Sequence, residues 1–408
     1  MVSLESAERL DAVDPLRSFR ARFVGSDDPD VVAYLDGNSL GRPLRASAER
    51  LARFAPEAWG SRLIRGWDEE WFDLPLTVGD RIARAALGAA SGQVVIGDST
   101  TVLLYKLIRA AVDARPGRTD IVVDTDNFPT DRYLVEGIAA ERGLSLVWIE
   151  SDIHSGVTAE QLAAVVGPNT ALVLLSNVAY RSGYLADVPE LTRITHDAGA
   201  LALWDVCHSV GSVPMQLDEW QVDIAIGCTY KYLNGGPGSP AFVYVRREVQ
   251  PVLRQPIQGW IGHADSFAMG PGFTPAEGMR GFLSGTPSIV GMQAMRDMVE
   301  LVDEVGMDAI RTKSESLTGL AIDIVDGWSA ELGVTLATPR DPQRRGSHVT
   351  IEHPHFREIT ARLWKRGVIP DFRAPQGMRL GLSPLSTSHI ELWRGLEAVR
   401  DELERLAA

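Results

Sequence analysis

A succession of short apolar runs separated by helix-length stretches constrains this chain more than any other feature. The runs are TDIVVDTDN (119–127), LSLVWIE (144–150), ALVLLSNV (171–178), ALALWDV (200–206), VDIAIG (222–227) and AFVYVRRE (241–248). They are apolar on both faces and too short for helices, so they read as buried strands. Between them, PTDRYLVEGIAAERG reads as a helix closed by Gly143, and VPELTRITHDAGA as one that ends at Gly199. Strands alternating with helices predict an α/β fold built on a mostly parallel sheet covered on both faces. Ligands of such sheets sit beyond the carboxyl ends of the strands. Phe128, Asp131, Asn177 and Asp205 all fall at or just past such ends.

The pattern changes near residue 290. IVGMQAMRDMVELVDEVGMDAIRTKSESLTGLAIDIVDGW carries long helical periodicity, and strand-like HVTIEH and MRLGLS then flank a helical HFREITARLWKRG. The expected organisation is an N-terminal segment (1–50) lying on both domains, a large domain (51–295) and a small C-terminal α/β domain (296–408). The net charge of −14 argues against nucleic acid or an anionic membrane as the main partner. A single phosphate remains possible, because local backbone N–H groups hold it regardless of bulk charge. No run approaches the length of a membrane span, and MVSLESAERLDAVDPL lacks the apolar core of a signal peptide. The two cysteines, Cys207 and Cys228, form no CxxC; no metal site is expected, and a reduced, cytoplasmic setting fits best.

Asp205 and Lys231 carry the first chemical signal. Asp205 ends a strand, and Lys231 lies in a loop rich in small residues, GCTYKYLNGGPG. Such a lysine can hold an aldehyde cofactor covalently, and such an acid can keep a pyridine nitrogen protonated, the pairing that pyridoxal phosphate (PLP) requires. Taken alone, a solvated lysine at a strand edge near a turn is the commoner reading.

The remaining strings shift that balance. YLDGNSLGRP (34–43), WGSRLIRGW (59–67), GDSTTVLLYKL (97–107), DNFPTDRY (126–133) and WDVCHSVGSVP (204–214) are joined by GCTYKYLNGGPGSPAF (227–242), GWIGHADSF (259–267), FLSGTPSI (282–289) and GVIPDFRAP…MRLGLSPL (368–385). In this order they resemble the kynureninases, in the class V aminotransferase-like branch of the fold type I PLP-dependent, transferase-like enzymes. The resemblance runs nearly end to end. It implies PLP as cofactor, an amino-acid substrate, and a homodimer with composite active sites. The implied reaction is hydrolysis of L-kynurenine, or its 3-hydroxy form, to anthranilate (or 3-hydroxyanthranilate) and L-alanine, a step of tryptophan catabolism and NAD biosynthesis.

Residue by residue, the resemblance makes Lys231 the Schiff-base lysine and base for the α-proton, and Asp205 the partner of the pyridine nitrogen. Tyr230 becomes a phosphate contact and proton donor. Phe128 stacks on the ring, Asp131 lies near its substituents, and His208 and Ser176 sit beside the cofactor; for His208 a structural role reads equally well. Thr100 and Thr101, at a helix start, form a phosphate cradle or a plain N-cap. Trp260 and Thr286 contact the phosphate from the neighbouring subunit. Arg379 grips the substrate carboxylate as a bidentate pair, with Arg373 as competitor. Asn38, Ser39 and Trp67 line the aryl pocket or simply pack. Cys207 reads as packing. Leu103 and SPLSTS depart from many relatives.

Two rival readings stay open at this stage. Aminotransfer uses the same lysine and acid, whereas desulfuration needs a mobile, accessible cysteine. A non-enzymatic regulator on this fold is expected to lack the lysine or to append a DNA-binding domain.

Overall fold

The computed structural model describes residues 2–407. Its strands are β1 (Ala33–Leu35), β2 (Val94–Ile96), β3 (Asp120–Asp124), β4 (Ser145–Ile149), β5 (Thr170–Ser176), β6 (Leu201–Asp205), β7 (Ile224–Gly227), β8 (Phe242–Val245), β9 (Thr335–Leu336), β10 (His348–Glu352), β11 (Val368–Arg373) and β12 (Gly377–Gly381). Seven form one sheet in the order β2-β8-β7-β6-β5-β3-β4, and five form another in the order β1-β11-β12-β10-β9.

In the larger sheet β4, β3, β5, β6 and β7 run parallel, as the apolar runs predict. The antiparallel edge of β8 and β2 is a departure from the expected pattern. It arises because the segment carrying Lys231 turns the chain straight back from β7 into β8 without a crossover helix. The β2 strand escapes the sequence pattern because it has only three residues. Helices cover both faces, and the two apolar clusters that result put alternate residues of each central strand on opposite sides: Val173 and Leu175 on one, Leu172 and Leu174 on the other.

The long helical stretch of the C-terminal part breaks at Gly306 (φ +81°) into Ile289–Val305 and Met307–Asp326. Residues from Ile289 to Ile310 pack with the large sheet, and those from Leu317 onward with the small one. The expected division after residue 295 thus crosses a helix; we propose that the smaller unit begins within Met307–Asp326.

The N-terminal segment is tied in at several places. β1 pairs in parallel with β11, so residues far apart in sequence share the small sheet. The helix Leu4–Val13 lies on His389–Ala407. There Asp11 Oδ1 meets His389 Nδ1 at 2.8 Å, and the Lys313 ammonium contacts both His389 (3.2 Å) and Asp14. Asp11, Asp14 and His389 have metal-like proximity, but this lysine already supplies the cation among them.

Candidate active site

Parallel pairing places Ser176 directly beside Asp205, and the next turn of chain carries both toward the ligand end of the sheet. Asp205 Oδ1 accepts the Cys207 N–H at 2.7 Å, which fixes the carboxylate at the strand end. Lys231 is buried, and its Nζ lies 3.0 Å from His208 Nε2. The same nitrogen stands 5.8 Å from the centre of the Phe128 ring and 5.9 Å from that of Tyr230. Burial, then the nearby Lys231 charge, pushes His208 well below the usual histidine range, so it faces the lysine as a neutral ring.

Asp131 is fully buried, one turn into the helix that Pro129 opens. Desolvation and then the Asp205 charge raise its carboxyl well above the ordinary range. Asp131 is thus held toward its protonated form beside Asp205. Asn127 braces this corner. Its Oδ1 accepts from the Phe128 N–H at 2.7 Å and from Ser176 Oγ at 2.8 Å. Ser176 therefore positions the Phe128 turn.

Next to this cluster lies a cavity of about 380 Å³, bordered by Gly97–Thr101, Tyr230, Gly238–Pro240 and Leu283–Ser288. The helix Thr100–Asp113 starts at its wall, with Ser99 as the capping residue: its side chain accepts from the Val102 N–H at 3.4 Å. Thr100 and Thr101 are first-turn residues, not the cap, so their hydroxyls are free for another partner. No acidic residue occupies that turn, and free N–H groups with the positive end of the helix dipole suit an anion. Burial raises the Tyr230 hydroxyl far above its usual range, which keeps it a hydrogen-bond donor. Leu103 is buried, its Cδ2 lying 2.9 Å from where a Cβ on Gly97 would fall. The small residue of the cradle and the large one behind it are thus complementary.

Arg379 lies almost wholly buried on β12. Its Nε donates to Asp371 Oδ2 at 2.8 Å, Nη1 to the Tyr180 carbonyl at 2.7 Å, and Nη2 to Ser39 Oγ at 3.0 Å as well as to Asp371. The side of the guanidinium expected to take a substrate carboxylate thus already holds Asp371. Arg373 approaches the same carboxylate, with Nε at 3.2 Å. Asp36, near Ser39, is raised to about 6 by burial and by the Asp371 charge. Neither polar atom of the buried Asn38 side chain has a hydrogen-bond partner, and the same holds for both ring nitrogens of the buried His348. The Tyr180 ring meets Phe128 edge-on at 5.4 Å, and the His348 ring lies 5.9 Å from His208. These contacts join the arginine group to the lysine group.

The N-terminal segment closes the site by backbone contact. The Gly41 N–H donates to the Tyr230 carbonyl at 2.8 Å, and a Cβ at Gly41 would lie 2.3 Å from the Lys231 carbonyl oxygen. Only glycine permits that approach.

Two expected site residues pack among aromatic neighbours within the chain. Trp67 packs on Trp71 and Phe72, and Trp260 on Phe72 and Phe267. Neither borders the cavity, and Trp260 is 38% exposed. Thr286, expected to reach in from a neighbouring subunit, borders the same cavity as the Thr100 and Tyr230 of its own chain.

Compared with known proteins, the chain is 41% identical over 404 residues to the kynureninase of Pseudomonas fluorescens, covering 97% of this chain and 94% of that one. It is 42% identical over 411 residues to the kynureninase of Burkholderia pseudomallei, covering 99% and 96%. The chain belongs to the kynureninase family. A profile of the kynureninase C-terminal domain also matches residues 310–399. Among solved structures, the cysteine desulfurase CsdA of Escherichia coli superposes with a TM-score of 0.80 at 18% identity, covering 97% of this chain and 99% of that one. A C-DES variant with glycine covalently linked to its PLP cofactor gives 0.78 at 17% identity, covering 95% and 98%. The architecture is therefore the fold type I, class V one that the sequence suggested.

For a kynureninase-family chain, the residues that sequence reasoning missed are Asp371, Asp36, Tyr180, His348 and Asn127. Three of them stood inside family strings, Asp36 in YLDGNSLGRP, Asn127 in DNFPTDRY and Asp371 in GVIPDFRAP. Their significance lies in contacts across the fold, which spacing does not reveal.

Proposed function

We propose that this kynureninase-family protein binds PLP and hydrolyses the Cβ–Cγ bond of L-kynurenine, or of its 3-hydroxy form, to release L-alanine and anthranilate or 3-hydroxyanthranilate. The observation that carries the reading is the Lys231 amine, buried beside the neutral His208, between the Phe128 and Tyr230 rings and close to the Asp205–Asp131 pair. Family membership narrows amino-acid chemistry to this carbon–carbon cleavage.

The chain's groups fit the cofactor end to end. The cavity offers hydroxyls and a helix N-terminus for a phosphate, and the buried Asp131 Oδ2 has no hydrogen-bond partner within the chain. Thr100, Thr101, Tyr230 and Thr286 would hold the phosphate, Phe128 and His208 the ring, and Asp205, braced by Asp131, the pyridine nitrogen. When bound, PLP supplies the electron sink for bonds at the substrate's α-carbon. Lys231 Nζ takes the proton from that carbon, and a neutral His208 leaves the amine free to do so. Tyr230 Oη stays protonated and can deliver a proton toward the leaving fragment. Arg379, with Arg373 beside it, holds the substrate carboxylate and exchanges part of its bond to Asp371 for it.

Asn38, Ser39 and Trp67 are assigned to the substrate side. Ser39 is supported by its bond to Arg379, and Asn38 by its two unpartnered polar atoms. We also propose a homodimer. The exposed Trp260, Phe267 and Met269 support it, since single chains rarely leave such a group in water. In that dimer Trp260 completes the neighbour's phosphate site.

Desulfuration finds no support, because Cys207 and Cys228 are both buried at the sheet and Cys228 together with burial raises the Cys207 thiol. The deciding assay incubates the PLP-loaded protein with L-kynurenine and follows anthranilate fluorescence and alanine. Formation of a keto acid without anthranilate would refute the hydrolase reading in favour of aminotransfer.

A further inference from the structure

Lys106 is a buried charge that the reaction does not use. It lies in the second turn of the helix Thr100–Asp113, with its side chain 2% exposed. Helical side chains lean toward the N-terminus, and Lys106 Nζ accordingly reaches back to Asp98 Oδ2, at 2.6 Å. It also donates to the Phe282 carbonyl at 3.4 Å.

Those two partners belong to separate segments at the cavity. Asp98 borders it just before the helix start, and Phe282 leads into the lining segment Leu283–Ser288. Asp98 is an odd residue for an anion cradle. A bound phosphate monoester carries about −1.5 to −2 charges near neutral pH, so a bare carboxylate at the cavity wall would repel it. The pairing with Lys106 cancels that repulsion and turns the acid into an anchor. The ammonium needs Asp98 just as much, since a buried lysine without a counter-ion is strongly unfavourable.

We infer that Lys106 is a positioning residue for the cofactor's phosphate: it neutralises Asp98 and ties the helix-start wall of the cavity to the Leu283–Ser288 wall. The inference rests on the assignment of this cavity to the phosphate of PLP. Lys106 itself touches neither the substrate nor the reacting atoms.

The test measures equilibrium binding of PLP, and of pyridoxal, which lacks the phosphate, to the apoprotein. If the wild-type protein does not prefer PLP over pyridoxal, the cavity assignment fails, independently of Lys106. With that preference established, Lys106→Met is expected to raise the PLP Kd roughly tenfold, as one uncompensated charge at low effective dielectric implies. The pyridoxal Kd should stay within about twofold. Adding Asp98→Asn should restore most of the PLP affinity by removing the exposed carboxylate. Equal losses for both ligands, an unchanged PLP Kd, or no recovery in the double variant would each overturn the inference. Should Lys106→Met fail to fold, Asp98→Asn alone decides. It frees a cation beside the phosphate and should tighten PLP binding, whereas unchanged or weaker binding overturns the inference.

Discussion

Replacing Asp371 by Asn separates the two roles that the structure gives this carboxylate. In the free protein it is the counter-ion of Arg379, whose side chain is 1% exposed while that of Asp371 is 14% exposed. The amide oxygen of Asn can still accept from Arg379 Nε, so shape and one hydrogen bond survive and only the charge is lost. Breaking a buried pair outright costs about 3–5 kcal/mol, and keeping a neutral acceptor should bring that to roughly 2–3. The unfolding entropy of globular proteins is about 2 cal/mol/K per residue. For 408 residues this gives roughly 0.9 kcal/mol/K, so the melting temperature should fall by about 3 °C. A substrate-side carboxylate changes the balance. With Asp371 neutral, the product L-alanine supplies the missing negative charge at Arg379 and no longer competes for it. Saturating alanine should therefore raise the melting temperature of the PLP-loaded variant by more than it raises that of the wild type. Differential scanning calorimetry of both proteins, with and without alanine, reads all four values. Equal or smaller alanine stabilisation in the variant would refute the claim that Arg379 exchanges Asp371 for the substrate.

Three further outcomes are expected. Lys231→Ala should lower kcat by at least about a thousandfold, in line with loss of a positioned base, and abolish the visible absorption of lysine-bound PLP; an absorption spectrum unchanged from wild type would exclude Lys231 as the anchor. His348 is held down to about 3 by burial and by Arg379, so the folded state stays neutral while the unfolded chain takes up a proton below about pH 6.5. That stability is present above pH 6.5 and lost on acidification, and between pH 7 and 5 the wild type should lose about 2 kcal/mol more than His348→Phe in urea titrations; parallel losses would show that His348 ionises while folded. Asp131 has the opposite sign: its raised folded pKa removes stability as the pH rises above the unfolded carboxylate value of about 4, so Asp131→Asn, which imitates the protonated acid, should gain melting temperature relative to wild type as the pH is raised from there.

What the sequence disclosed and what it withheld follow a physical division. The central strands were legible because burial on both faces writes itself as unbroken apolar runs, and Leu172–Leu175 show both faces filled. The positions of Asp205, Asn177 and Phe128 were legible for a related reason, since ligands of a parallel sheet gather beyond its strand ends. The β2 strand was silent because three residues carry no period, and the break at Gly306 was masked because helical periodicity continues on both sides. The pairing of Asp371 with Arg379 had no sequence signature, because it is created by two adjacent antiparallel strands in register. The same holds for β1, which joins β11 only after the whole chain is in place.

Both proposed anion-binding ends of the site share one arrangement, and it would account for how a chain of net charge −14 holds an anionic cofactor and an anionic substrate. Each end has a deeply buried cation already paired with an acid: Lys106 with Asp98 at the cavity wall and Arg379 with Asp371 on the small sheet. A buried cation left unpaired in the free protein would cost several kcal/mol, so the acids are what allow these cations to be buried at all. The two pairs should nonetheless respond differently to their ligands. Lys106 is turned away from the cavity toward Asp98 and Phe282, so its pair should persist when phosphate binds. Arg379 bonds Asp371 through two of its nitrogens, so a substrate carboxylate must displace one of them. PLP affinity should therefore vary little with ionic strength, because its cation stays locked and screened from solvent. Substrate KM should respond to every charge around Asp371, including Asp36 and Arg373, because there the exchange of partners is itself the binding event.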